Sequence, residues 1–112
     1  MAKHELTISP VARDAITVLG QRVKIARIQR GWTIADVSTR SLTSAPTIRN
    51  IEAGATGTAI GTAFHVAFLL GVPLFGIEDA AELARLRRQG EDTLALLPAR
   101  VRPSRDDIDD NF

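Results

Sequence analysis

The sequence contains no cysteine and no tyrosine, and only one tryptophan and four phenylalanines among its 112 residues. The absence of cysteine excludes disulfides and thiolate metal sites. Because hydrophobic residues nevertheless make up 45% of the chain, the core must be built from Leu, Ile, Val and Ala, which favours packed helices over a sheet sandwich. His65 has no second histidine or carboxylate at ligand spacing, and His4 stands alone near the start. We therefore predict no metal site and no cofactor.

Long apolar runs are also lacking. The longest, residues 63–72, is interrupted by His65 and Gly71 and is too short to cross a bilayer. At the N-terminus, Leu6 and Ile8 are separated by polar residues and followed by Pro10, which differs from the apolar region of a signal peptide. These features predict a cytoplasmic protein without membrane contact.

Charge is distributed unevenly, although the formal net charge is only +1. Residues 1–60 carry eight Lys and Arg against four Asp and Glu, whereas residues 61–112 carry six against nine. This asymmetry indicates a basic binding face in the first half and a separate role for the C-terminal part. The length allows one domain with a modest core plus an extension.

A first helix is predicted from about Pro10 to Arg30. One apolar face follows alternating steps of four and three, and comprises Ala12, Ile16, Leu19, Val23 and Ala26. A second apolar stripe predicts another contact, either with the C-terminal helix or with another copy of the chain, and comprises Val11, Ala15, Val18, Ile25 and Ile28. Gly20 lies inside this helix and is expected to be a weak point, at a cost of about 1 kcal/mol relative to alanine.

Two short helices should follow. Thr33 is a candidate N-cap with Asp36 completing a capping box, and the helix from about Ile34 to Arg40 should turn Ile34, Val37 and Ser38 inward. After a turn at residues 41–43, a second helix is predicted to begin at the N-cap Ser44 and to end at Gly54 in a left-handed conformation. Pro46 should lie in its first turn, and Ile48 and Ile51 should anchor it in the core. Two short helices joined by about four residues form a helix-turn-helix arrangement.

The remaining helices are less sharply marked. Thr58 is the candidate cap of a fourth helix, His65 should lie solvated on its outer face, and its buried stripe should comprise Ile60, Ala63, Phe64, Ala67 and Leu70. Leu74, Phe75 and Ile77 should then close the core. A further helix is predicted from about Glu78 to Gln89, where Gly90 interrupts it, and Asp92 can cap an additional turn that ends at Leu97.

The sequence from Leu19 to Val72 resembles the Cro/C1-type (XRE) helix-turn-helix family. The resemblance rests on Leu19-Gly20, Arg30-Gly31-Trp32-Thr33, Thr47-Ile48, Ile51-Glu52-Ala53-Gly54 and Leu70-Gly71-Val72. It implies an all-α protein with a compact five-helix DNA-binding domain that usually acts as a homodimer. With the patterns above, we expect the DNA-binding domain at residues 10–77, a helical extension at 78–97 that makes either a dimer contact or a partner contact, and a flexible charged tail at 98–112.

Three departures from the family pattern affect the expected DNA contacts. Ile34 replaces a common glutamine, Ser41-Leu42 replaces Leu-Gly in the turn and allows Leu42 to turn inward, and Ala45 and Pro46 replace polar residues that often touch bases. Base contacts should therefore fall to Thr47, Arg49 and Asn50, and Arg40 is the best additional backbone contact. The complete set of candidate DNA-binding residues is Thr33, Arg40, Ser44, Ala45, Pro46, Thr47, Arg49 and Asn50.

The C-terminal segment has a second resemblance. The run Leu-Leu-Pro-Ala-Arg-Val-Arg at Leu96 to Arg102, with an acidic end and a terminal Asn-Phe, resembles HipB-like antitoxins and regulators encoded beside HipA-type kinases. This implies a protein that neutralises a kinase and represses the shared operon. The candidate partner-binding residues are Arg100, Arg102, Ile108 and Phe112. The tail has an alternative interpretation as a disordered, solubilising extension.

Two functional hypotheses follow. The first is a homodimeric transcriptional repressor that binds a palindromic operator in double-stranded DNA, with the antitoxin role as its finer form. The second is a protein-interaction module that keeps the helix-turn-helix shape but has little affinity for DNA. An enzyme is not expected, because no serine lies beside a plausible base and the acids at residues 106–110 lack a framework that would fix acid–base geometry.

Overall fold

The computed structural model describes residues 7–101 and 103, and this part of the chain is all-α, as predicted. It contains α1 (Pro10–Gln29), α2 (Ile34–Ser41), α3 (Ala45–Glu52), α4 (Ile60–Leu69) and α5 (Ala80–Ala95). The chain divides into two compact units, Met1–Glu78 and Asp79–Phe112. Among the described helices, none has the length and apolar character needed to cross a membrane.

Helix α1 starts where its local sequence specifies. The Ser9 hydroxyl accepts a hydrogen bond from the Ala12 amide at 3.1 Å. Pro10 occupies the first turn, where a backbone N–H would have no partner within the helix. Val23 is completely buried, and Leu19 and Ala26 pack beside it. The predicted inner face of α1 is therefore confirmed.

The core of the first unit takes residues from each of its four helices. Val23 of α1, Val37 of α2, Ile48 of α3 and Val66 of α4 are all fully buried. Each side chain of this size contributes about 1.5–3 kcal/mol when it is removed from water. Ile48 and Ile51 anchor α3 on one side, so the other side of this helix remains free.

Gly20 is a close-contact position rather than the weak point expected from helix propensity. It is buried on α1 where the end of α3 crosses, and a Cβ built there would lie 2.3 Å from the Ile51 carbonyl oxygen and 3.0 Å from that of Glu52. The missing side chain allows α1 and α3 to approach each other. Gly20 lowers the helix propensity of α1 alone, whereas the close contact that it permits joins α1 to α3.

Helix α4 differs from prediction at its start. Ala59 is the N-cap and no side chain caps the helix, while the Thr58 hydroxyl donates instead to the Ala55 carbonyl at 3.2 Å. Ile60 is 71% exposed, because the first turn of α4 lies at the edge of the core. Val66, deeper in the helix, is buried in addition to the predicted Ala63, Ala67 and Leu70.

The segment after α4 closes the core less completely than predicted. Leu74 packs against it, but Phe75 is 76% exposed. Phe75 has a φ of 54° within a tight turn in which Leu74 and Ile77 exchange backbone hydrogen bonds. This left-handed conformation directs its side chain outward, where its ring meets that of Phe64 edge-on at 6.0 Å.

The second unit contains α5, which runs without a break through Gly90, contrary to the prediction. Its N-cap is Asp79, so the helix also begins later than predicted. One glycine costs a helix only about 1 kcal/mol, and the Arg87–Glu91 ion pair of 2.5 Å spans Gly90. The helix therefore continues to Ala95.

Candidate nucleic-acid interface

The start of α2 is held by the predicted capping box. The Asp36 carboxylate accepts from the Thr33 amide at 2.8 Å, and the Thr33 hydroxyl accepts from the Asp36 amide at 3.0 Å. The hydrogen bond from the Thr33 amide, and then that from the Thr33 side chain, hold the pKa of the Asp36 carboxyl below its ordinary value. Thr33 is exposed, so its hydroxyl oxygen can be reached by a ligand outside the protein.

The turn between α2 and α3 places Leu42 outward, so the inward orientation that the sequence allowed is wrong. Leu42 has a φ of 56° and is 93% exposed, because a left-handed residue at a helix end points its side chain away from that helix. The turn is closed by the Ser38 hydroxyl, which donates to the Thr43 carbonyl at 2.6 Å.

His65 is exposed on the outer face of α4, as predicted, but its ring also contacts this turn. Its Nε2 lies 3.0 Å from the carbonyl oxygen of Ser41, the last residue of α2. Since a carbonyl can only accept, Nε2 carries the proton in this contact. His65 thereby ties α4 to the end of α2 and supports the turn that leads into α3.

Helix α3 presents a polar surface with free side chains. Ser44 caps it, with its hydroxyl 3.3 Å from the Thr47 amide and 2.8 Å from the Thr47 hydroxyl. Arg49 and Asn50 are exposed, and neither side chain has a hydrogen-bond partner within residues 7–101. Pro46 is exposed, whereas Ala45 and Thr47 are half-buried. Arg49 and Asn50 are therefore the α3 side chains most available to an external ligand.

Trp32 orients Arg40, a relation that the sequence did not reveal. The guanidinium carbon of Arg40 lies 4.2 Å from the centre of the Trp32 ring, and that of Arg30 lies 5.1 Å from it. Trp32 itself packs against the core. A cation over an aromatic face is attracted by the ring. The N–H groups at the edge of the Arg40 guanidinium remain free to bind an anion. Arg40 is thus fixed in place but still exposed.

A bidentate ion pair joins α1 to the end of α3 and was missed in the sequence. Arg27 donates from Nε and Nη2 to the two carboxylate oxygens of Glu52 at 2.6 and 3.0 Å, and from Nη1 to the Trp32 carbonyl at 3.0 Å. The two side chains are only 13% and 8% exposed. Hydrogen bonding to Glu52 raises the pKa of Arg27. The sequence signal for this ion pair was Glu52, a single acid next to the inward-facing Ile51.

An apolar groove of about 470 Å³ lies beside the C-terminal end of α3. Its lining comes from α1, α3, the segment after α3, α4 and the turn at Phe75, and includes no charged residue. Ile60 and Phe75 form exposed parts of its wall. The groove therefore exposes apolar surface next to the polar helix.

Of the predicted partner-binding residues, only Arg100 is described. It follows α5 and is exposed. Arg102, Ile108 and Phe112 lie outside the described residues, as does most of the predicted tail.

Ser41 provides a test of how the turn is packed. It is 3% exposed, and its hydroxyl has no hydrogen-bond partner among the described residues. We expect Ser41→Ala to raise the free energy of unfolding by about 1 kcal/mol, because a buried unsatisfied hydroxyl is removed. Ser38→Ala is the matched control and should lose about 1 kcal/mol with its bond to Thr43. Urea denaturation measures both; destabilisation by Ser41→Ala would show that the hydroxyl has a bound partner such as water.

Residues 23–77 match the protein family described as Helix-turn-helix. The matched segment includes α2, α3 and α4 in full. No curated protein and no solved structure matches the chain.

Proposed function

We propose that the protein is a DNA-binding regulator of the Cro/C1 type, and specifically a sequence-specific transcriptional repressor, because residues 23–77 match the Helix-turn-helix family. In this proposal, α3 enters the major groove of double-stranded operator DNA. DNA binding would place the protein with the chromosome in the cytoplasm.

The observation that carries the proposal is the division of α3 into two sides. Ile48 and Ile51 are buried, while Arg49 and Asn50 are exposed and unengaged within the described chain. In the major groove, Arg pairs bidentately with guanine and Asn with adenine. Ser44 and Thr47 supply hydroxyls near the start of the helix, and the small Ala45 and Pro46 keep its first turn narrow.

Backbone contacts would come from α2. The Thr33 hydroxyl and the Arg40 guanidinium are both held in position by neighbouring residues, and the guanidinium retains free N–H donors. Phosphate contacts of this kind fix the register of a protein on the duplex without reading its sequence.

A homodimer would read a palindromic operator with half-sites about 34 Å apart. The apolar groove beside α3 supports this part of the proposal, and we assign the dimer contact to it. Because no charged residue lines the groove, two copies can meet there without like-charge repulsion. A two-fold axis close to the end of α3 would place both copies of this helix on one side of the duplex.

Arg49→Ala is expected to weaken binding of the protein to its own upstream DNA by about 5- to 150-fold, equivalent to the 1–3 kcal/mol of one bidentate contact. Arg49→Lys keeps the charge and should recover little if the contact is to guanine. Arg85→Ala, which removes an exposed arginine from α5, is the control and should leave the affinity unchanged. Fluorescence anisotropy titrations measure all three, and normal binding by Arg49→Ala would contradict the groove assignment.

The second candidate is an interaction module of helix-turn-helix shape with little DNA affinity. Ala45 and Pro46 offer no side-chain donors at the start of α3, and the formal net charge is only +1, which favours this candidate. Salt dependence separates the two, because a protein that neutralises phosphates loses affinity steeply as salt rises. Weak binding that is insensitive to salt would support the module.

In its finer form, the proposed repressor is the antitoxin of a HipBA-like pair. Under this proposal residues 10–77 bind DNA, while residues 78–97 and the tail contact a HipA-type kinase. Its support is the exposure of Leu96 and Val101, which are 87% and 96% exposed in the segment after α5. Arg100, Arg102, Ile108 and Phe112 would complete the contact. Co-purification with the product of the adjacent gene tests the pairing, and a neighbouring gene unrelated to kinases would reject it.

A further inference from the structure

The outer face of α1 has an exposed row of β-branched residues. Val11, Val18 and Ile25 are 77%, 41% and 53% exposed. They are spaced by seven residues, so they stay in one row with a drift of about 20° per step. The row is about 21 Å long at 1.5 Å per residue. It lies on the side of α1 away from the buried Val23, so the core of its own unit does not cover it.

The charges beside this row are symmetric about Val18. Asp14 lies four residues before Val18 and Arg22 four residues after it, just as Val11 and Ile25 lie seven residues before and after. Asp14 and Arg22 are both exposed, and neither forms an ion pair within the described part of the chain. The order along the helix is apolar, acid, apolar, base, apolar. Read in reverse, the apolar positions coincide and the acid and base exchange places.

Such a pattern is complementary to its own antiparallel copy. When two α1 helices cross at Val18, Val11 of one protomer lies at the height of Ile25 of the other. Asp14 then lies at the height of Arg22 across the seam, and this pairing occurs twice. A parallel arrangement would instead bring Asp14 to Asp14 and Arg22 to Arg22, and like charges oppose association.

We propose that the outer face of α1 is a self-association surface that takes a second copy of this chain in antiparallel orientation. One acid and one base on the face favour a copy over a partner of a single charge sign. The uncharged Gln21 beside the row adds no unmatched charge to the contact. A single pair of helices over four turns is small compared with standard interfaces, so the contact should be weak and populate at high local concentration.

A thiol placed on the two-fold axis tests the arrangement. The chain contains no cysteine, so Val18→Cys introduces a single reactive group that meets its own copy. We expect a short bismaleimide to join Val18→Cys protomers into a covalent dimer. Lys24→Cys, also exposed on α1 but off the row, is the matched control. Equal dimer yields from the two variants would overturn the proposal.

The charge pattern is tested in the same Val18→Cys background. Asp14→Arg and Arg22→Asp should each lower the crosslinked yield by about tenfold, because two attractive pairs become two repulsive ones. The double exchange Asp14→Arg with Arg22→Asp restores both pairs and should restore the yield. Circular dichroism confirms that each exposed replacement leaves the helices intact. Failure of the double exchange to restore the dimer would overturn the proposal, and since no DNA is present, the result is independent of operator binding.

Discussion

Gly20→Ala is expected to lower the free energy of unfolding by about 2 kcal/mol. Adding atoms to a well-packed site lowers the free energy of unfolding by up to about 3 kcal/mol. The better helix propensity of alanine offsets about 1 kcal/mol of this loss. The upper end applies because the added Cβ would lie 2.3 Å from the Ile51 carbonyl oxygen. That oxygen belongs to the backbone, so it cannot rotate away as a side chain would. Relief requires α3 to move away from α1.

The matched control is Gly61→Ala in α4, where an added Cβ meets no atom within 4 Å. This variant should be as stable as the parent or gain up to about 1 kcal/mol. Urea denaturation of the three proteins measures the difference. Because the strain is relieved by displacing α3, Gly20→Ala should also bind operator DNA more weakly, whereas Gly61→Ala should not. A Gly20→Ala protein as stable as Gly61→Ala would show that the two helices do not approach this closely.

The elements that the sequence predicted best are those defined by neighbouring residues. The caps at Thr33 and Ser44, the left-handed Gly54 and the anchoring pair Ile48 and Ile51 are all confirmed. Each depends on side chains within one turn of helix, so the local pattern contains the necessary information. The polar side of α3 followed from the same pattern.

The errors concern residues whose environment is set by distant parts of the chain. Gly20 has the same local sequence signal as a dispensable glycine, and only the approach of α3 gives it a role. Ile60 and Phe75 are as hydrophobic as core residues, yet the edge of α4 and a left-handed turn leave them exposed. His65 finds its partner 24 positions away in the chain. Such contacts cannot be derived from hydrophobic periodicity alone.

Glu52→Ala is expected to cost about 3 kcal/mol, the largest loss among the variants considered, because it leaves the partly buried Arg27 guanidinium without its counter-charge. Whole domains are stable by only about 5–15 kcal/mol, so much of the folded population should be lost on mild heating. Glu52→Gln keeps the shape and one acceptor, and it should lose less. Thermal and urea unfolding followed by circular dichroism give the order parent, Glu52→Gln, Glu52→Ala.

The double variant Arg27→Met with Glu52→Met separates stability from orientation. Replacement of both partners of a buried ion pair by apolar residues is often neutral, so it should recover to within about 1 kcal/mol of the parent. It lacks, however, the two hydrogen bonds that fix the end of α3 against α1. We therefore expect a folded protein with weaker operator binding, since Arg49 and Asn50 depend on the rotation of α3 about its axis. Unchanged stability of Glu52→Ala would show that the pair contributes nothing, and parental DNA affinity in the double variant would show that apolar packing alone orients α3.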